Sequence, residues 1–294
     1  MKNLNYSAQR RILIICFLFV PIVLLCTFSF LPLGNMIYYS TLKWNGLSKH
    51  KVFIGFANYA RLFSDSEYFS VFKVSLYYLA GSVIQLALAL FFATILSFKI
   101  RGKNLFKGIL FFPYLLNGVA IAFIFLFYFK GNGTLDSFLK FFGLEGLIQY
   151  WLKDVRWVNI SMVFTSIWRY MGFNFIVFLG AIQSIDSQIF EAADIDGANK
   201  WHKFIYIILP SIKNILELNL ILSVSGAISA FEIPYVMMGG SNGTRTFVIQ
   251  TVQTAFVNGK LGLASAMAVV LLVIVLFVTI IQKIYFKHNG GNEL

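Results

Sequence analysis

Apolar residues in this chain gather into six long runs, at about 12–33, 74–98, 108–129, 157–182, 214–238 and 261–282. Each run has 22 to 26 residues. At 1.5 Å rise per residue, that length crosses a hydrocarbon core of about 30 Å with some tilt. Together the runs hold only three charged residues, Arg169, Glu217 and Glu232. The pattern predicts an all-α, polytopic membrane protein with six transmembrane helices. The first run follows Lys2, Arg10 and Arg11, as the apolar part of a signal peptide would. It is longer than an h-region of roughly 7 to 15 residues, however, and no A-x-A site follows Leu33, so it reads as an anchor. Cys16 and Cys26 both lie in it, nearly three helical turns apart and too far to bridge each other.

Composition agrees with a bilayer as the solvent. Of 294 residues, 59% are hydrophobic and 18% aromatic, and only 12% are charged, where a soluble domain carries about 25%. With a mean hydropathy of +0.77, this excludes an ordinary soluble enzyme. The net charge of +12 admits a nucleic-acid partner in principle, but nearly all the charges sit in the connections between runs. If the N-terminus is inside, the inner segments carry 12 Lys and Arg in 63 residues and the outer ones 11 in 89. The bias is concentrated in the short 99–107 connection, with Lys99, Arg101, Lys103 and Lys107, where a short loop counts most. Both termini are therefore placed in the cytoplasm. The organisation expected is an anchor helix and first outer loop over 1–73, a membrane domain over 74–286, and a cytoplasmic tail over 287–294.

Enzymatic chemistry finds no support in the motifs. There is no G-x-x-x-x-G-K-[ST] phosphate cradle, and the Gly239-Gly240-Ser241-Asn242-Gly243 segment has no Lys after it. No H-E-x-x-H occurs, and His50, His202 and His288 lie in separate segments. The chain is expected to hold no catalytic residue, no metal and no cofactor of its own.

The connection over 184–213 has a pattern of its own. Ser187–Ala193 reads as a short helix capped by Ser187 or Asp186; Gly197 breaks it, Lys200–Leu209 resumes it and Pro210 closes it. Ile189, Phe190, Ala193, Phe204, Ile207 and Ile208 give an apolar face, opposite Glu191, Asp194, Asp196, Lys200 and Lys203. The pattern alone fits either a helix lying on the lipid surface or a docking element for a cytoplasmic partner.

Here the residues resemble a family. Glu191-Ala192-Ala193, Asp196-Gly197-Ala198, Phe204, Ile207, Leu209 and Pro210 match in spacing the EAA loop of the membrane subunits of binding-protein-dependent ABC importers. Phe112-Pro113-Tyr114, Gly133-Thr134-Leu135, Trp168 with Gly172, and Phe231-Glu232-Ile233-Pro234-Tyr235-Val236 before Gly239-Gly240 resemble its carbohydrate branch. Ser241 stands where a Pro is common and Met238 where Thr is usual, which leaves the substrate open.

The resemblance implies a type I ABC importer permease fold in a bacterial cytoplasmic membrane, moving a sugar or oligosaccharide. It implies a second homologous permease, two cytoplasmic ABC ATPases that bind ATP and Mg, and an extracellular solute-binding protein, with no role for nucleic acid. In such importers the EAA loop is a coupling helix seated in a cleft of the ATPase. Glu191 would supply a charge to that contact, Ala192 and Ala193 would permit close approach, and Gly197 would permit the backbone reversal between Asp196 and Ala198. Leu209 and Pro210 would mark the turn into the fifth span.

A solute path is sought among costly or space-leaving residues inside the spans. Ser223, Gly226, Ala227 and Ala230 recur at i, i+3, i+4 and i+7, which serves helix packing or leaves volume for a ligand. By the resemblance, these positions and Arg169, Tyr170 and Phe173 fall where maltose-type permeases line a midmembrane sugar site. The two rings would stack on a pyranose, and Arg169 would donate to hydroxyls or a carboxylate. Arg169 has a rival role, pairing with Glu217 or a backbone carbonyl to hold helices together. Asn174 joins the candidate path, although it and Asn117 also fit plain interhelical hydrogen bonds. Glu232, about six turns along its helix, is placed near the outer interface, at the entrance or merely the rim. Trp44, Trp151 and Trp157 fit an interfacial belt. An ABC permease for glycerol phosphate or polyamine shares the loop pattern. A secondary transporter would bring paired helix breaks or an inverted repeat, and neither is visible in the sequence.

Overall fold

A computed structural model describes residues 6–98 and 101–290. Lys2, Lys99 and the last four residues of the expected tail lie outside the described residues. The chain divides into two compact units, Met1–Ser66 with Thr251–Val273, and Glu67–Gln250 with Ile274–Leu294.

In the first unit, the first span covers Arg10–Ser40, and none of its most apolar window is buried. Its side chains are satisfied only by lipid or by another protein. A π-helical turn over Cys26–Phe30 interrupts it. Leu42–Lys43 then pairs antiparallel with Val52–Phe53. The buried Asn58 ties this corner, donating to the carbonyls of Ser40 at 2.8 Å and Leu42 at 2.9 Å. Gly262 lies so close to the Leu42 carbonyl that a Cβ would collide with it, and its own amide reaches the Trp44 carbonyl at 3.0 Å.

The second unit is built on the second and fourth spans, Glu67–Ser97 and Val155–Gln183. Gly81 allows their close approach, since a Cβ there would strike Val163. Gly172 does the same for the third span, because a Cβ would meet the Leu110 carbonyl. Two apolar cores follow one another along the spans. One gathers Val74, Tyr78, Phe125, Val158 and Met162, and the other Leu86, Ala89, Phe175, Phe178 and Ile212. Between them the facing stretches carry polar residues, Ser82 and Gln85 on the second span and Ser166 and Asn174 on the fourth.

Two spans expected as single helices are broken. The third consists of Lys103–Leu115 and Gly118–Phe129, bent by 98°. Counting this bent pair as one span, the candidate membrane spans among the described residues number six. Leu116 and Asn117 are extended at the break, and the Asn117 side chain caps the second half by accepting from the amides of Val119 and Ala120. Asn117 is thus a local cap and not the interhelical bridge its position suggested.

The fifth span, Lys213–Met238, is helical over Lys213–Ile228 and again over Glu232–Met238. Pro234 explains the interruption, because its ring collides with the carbonyl four residues earlier, that of Ala230. Thr246 satisfies the displaced carbonyl, its hydroxyl donating to Ala230 at 2.7 Å. The last helix runs Leu261–Gly290, beyond the apolar run and into the segment expected as a tail.

Outside the spans, Asp136 is buried and accepts from the Asn132 amide at 2.7 Å and the Trp151 indole at 2.8 Å. Trp151 therefore has a specific partner in addition to any belt role. Asn242, with a positive φ of 52°, donates to the carbonyls of Leu152 and Lys153 at 2.9 Å.

Candidate functional site

Between the two apolar cores of the second unit lies a cavity of about 510 Å³. The interrupted packing opens it, and the broken fifth span forms one wall. All but one of the residues singled out for the path line it: Tyr170, Phe173 and Asn174 from the fourth span, and Ser223, Gly226, Ala227, Ala230 and Glu232 from the fifth. Gly226 is exposed, whereas Ala227 is buried against the core. The small-residue face is thus shared between cavity and packing. Tyr114 extends the aromatic side, with its ring 5.1 Å from that of Phe173 and 6.5 Å from that of Tyr170.

Arg169 is the exception, and it does not line the cavity. Its guanidinium donates to the Glu232 carboxylate and lies over the Tyr170 ring at 4.9 Å. The partner is therefore Glu232 and not Glu217, which makes no ion pair among the described residues. Glu232 was counted toward the outer rim, but the break before it sets it opposite Arg169, which is the middle residue of the fourth span. Gly118 completes the arrangement. A Cβ there would collide with both the Arg169 guanidinium and the Glu232 carboxylate, so the start of the third span's second half presses on the pair.

Reading by sequence missed Tyr78, Ser82 and Gln85 of the second span, which also line the cavity. The signal was available: Ser82 and Gln85 are polar residues one turn apart in the largely apolar middle of this span. The hydroxyl of Tyr78 is buried without a hydrogen-bond partner among the described residues.

The second feature is the 184–213 connection. Its first helix covers Ser187–Ile195, and Asp186 is its cap, accepting from the Gln188 amide. Gly197 follows with φ +75°, a left-handed conformation that a side chain would strain. The Asp196, Gly197 and Ala198 amides bond back to the carbonyls of Ala192, Asp194 and Ala193, which locks the turn. Asn199 caps the next helix, Lys200–Lys203, and a π-helical stretch leads to Leu209 and Pro210 at the foot of the fifth span.

Phe190, Phe204 and Ile208 attach the loop to the inner core. Lys203, its side chain 9% exposed, binds Asp194 across the Gly197 turn, a cross-brace that sequence reading did not single out. The opposite surface is open. Glu191 and Ala192 are exposed, and so are Ile189, Ile195 and Trp201, with Ile195 at 88%. A lipid-lying helix would hide its apolar side chains on one plane, whereas here Phe190 is turned into the protein and Ile195 outward.

Fold and site together define a multi-pass membrane transport subunit. The chain belongs to the family of binding-protein-dependent transport system inner membrane components, whose model matches residues 85–288. It is 31% identical over 291 residues to a probable ABC transporter permease protein, YurN, of Bacillus subtilis, covering 97% of this chain and 99% of that one. It is 29% identical to the multiple sugar-binding transport system permease protein MsmF of Streptococcus mutans, over 90% of this chain and 92% of that one. Its fold is similar to that of a bacterial alginate ABC transporter solved with an alginate pentasaccharide-bound periplasmic protein, with a TM-score of 0.83, 18% identity and 97% of each chain covered. Family membership retires the secondary-transporter reading even though two helix breaks are present.

Proposed function

We propose that this chain is the permease subunit of a carbohydrate importer, passing a sugar or oligosaccharide through the cavity beside Tyr170 and Phe173. The observation that carries the reading is the cavity itself. Aromatic rings from the third and fourth spans face a wall of small residues in the fifth, with amides and hydroxyls between them. Rings stack on the apolar faces of pyranoses, and neutral polar groups hold their hydroxyls. The names of relatives such as the multiple-sugar permease support the same class.

Energy enters through the Ser187–Ile195 helix, which docks on a separate ATPase that binds ATP and Mg. Glu191, Ala192 and Ala193 make the contact, and Asp196, Gly197 and Ala198 set the turn. Leu209 and Pro210 carry the motion into the fifth span. One loop docks one ATPase, so a second, homologous permease completes the channel and brings a second ATPase. A solute-binding protein delivers ligand from outside a bacterial cytoplasmic membrane, and both termini of this chain are inside.

The test is uptake of labelled glycans by proteoliposomes holding the full complex, with ATP enclosed and binding protein outside. Ala230→Trp fills the cavity wall and is expected to lower uptake at least tenfold while ATPase subunits stay bound. Unchanged uptake overturns the assignment of the cavity.

A further inference from the structure

Resting on the carbohydrate reading, we propose that the cavity selects an uncharged polyhydroxylated ligand, that Glu232 makes this selection, and that Arg169 is its positioning residue. Among the described residues, Glu232 is the one charged side chain lining the cavity. The two ends of the ion pair are not equivalent: the Arg169 side chain is 13% exposed and that of Glu232 38%. The acid is on the cavity side and the base behind it. An entering ligand meets the negative end of a pair that is neutral overall.

Arg169 cannot readily exchange places with its partner. Gly118 presses on the guanidinium from one side, and the Tyr170 ring lies 4.9 Å from it. The charge that would welcome a carboxylate or phosphate is thereby held out of reach. The other polar groups of the wall, such as Ser82, Gln85, Ser166, Asn174 and Ser229, are neutral. Tyr78, buried without a partner for its hydroxyl, lies among them.

These groups satisfy hydroxyls well. An ionised carboxylate accepts strong hydrogen bonds from sugar O–H groups, and the Glu232 side chain is 38% exposed. An anionic ligand would lose its hydration and gain a like charge in place of a counter-ion. Of the solutes compatible with the loop pattern, a neutral glycan fits and glycerol phosphate does not, and a polyamine would find the one carboxylate of the wall already paired with Arg169. Uronates are excluded on the same ground as glycerol phosphate.

The experiment measures equilibrium binding to the permease–ATPase complex in nanodiscs, without binding protein. The probes are labelled neutral oligosaccharides, uronate oligosaccharides of matched length, and glycerol 3-phosphate. Neutral glycans are expected to bind at least tenfold more tightly than either anion. Glu232→Gln leaves Arg169 unpaired and is expected to narrow that gap at least tenfold, whereas Glu232→Asp keeps the preference. Equal weakening of neutral and anionic probes by Glu232→Gln means a purely structural pair and overturns the proposal. Tighter binding of uronates by the unaltered complex overturns it without any variant, and leaves the carbohydrate reading standing. Binding of no glycan at all sinks both.

Discussion

Thr246 donates its hydroxyl to the carbonyl of Ala230, the group that Pro234 expels from the fifth span. A helix break inside a bilayer survives only if each freed backbone group finds a partner. Thr246 is wholly buried. Thr246→Val keeps the shape and removes the donor, leaving an unsatisfied carbonyl worth about 1–3 kcal/mol. The expected outcome is a lower unfolding temperature of the detergent-solubilised complex. A variant as stable as the parent would mean that the carbonyl has another partner.

Gly118 tests the contact with the central ion pair. Gly118→Val places a branched side chain against Arg169 and Glu232, an overpacking of about 1–3 kcal/mol. Uptake by proteoliposomes is expected to fall at least tenfold, with the complex still assembled. The neighbouring Asn117→Ala removes only a helix cap, costs about 1 kcal/mol, and should leave most uptake in place.

The brace in the inner loop predicts an asymmetry. Asp194→Ala strands the ammonium of a Lys203 side chain that is only 9% exposed; losing the partner of a fully buried charge costs about 3–5 kcal/mol. The Asp194 side is 67% exposed, so solvent screening brings the expectation below that range, to about 1–2 kcal/mol. Lys203→Met in the Asp194→Ala background removes the stranded charge and is expected to recover most of the stability. Limited proteolysis of the 184–213 segment reads both effects.

Gly197→Ala adds a methyl group where φ is +75°, a strain of about 1–2 kcal/mol. The turn then relaxes, and the faces of Ser187–Ile195 and Lys200–Lys203 lose their mutual angle. ATPase subunits are expected to copurify at less than half the normal yield. Glu191→Arg, which leaves the turn intact but reverses an exposed charge, should lower that yield as well. If Glu191→Arg copurifies normally and supports full uptake, the docking role of this surface fails.

Much of this was legible in the chain because membranes impose a coarse code. Run length gave the spans, and the scarcity of charge inside them drew attention to Arg169 and Glu232. The partner of Arg169 was not legible. Counting turns along an unbroken helix sends Glu232 to the outer rim, and only the interruption at Ser229–Phe231 returns it to the middle. Pro234 was the available signal, since it must displace the Ala230 carbonyl. The bend at Leu116–Asn117 was hidden because Asn117 competes for its own backbone, a local choice that apolar periodicity does not register. Tyr78, Ser82 and Gln85 lie on the same wall, but a single Ser or Gln in an apolar run is equally consistent with an interhelical hydrogen bond, so the pattern by itself does not assign them to the cavity.

The loop after the fourth span also bears on how fast the importer assembles. Its turn is closed within this chain, by its own backbone bonds and by Lys203 on Asp194. On the proposed docking role, the surface around Glu191 and Ile195 is already shaped for an ATPase. Little ordering entropy would then be lost on contact; diffusion and orientation would set the association rate, and a subunit that dissociated would leave behind a surface ready to take another.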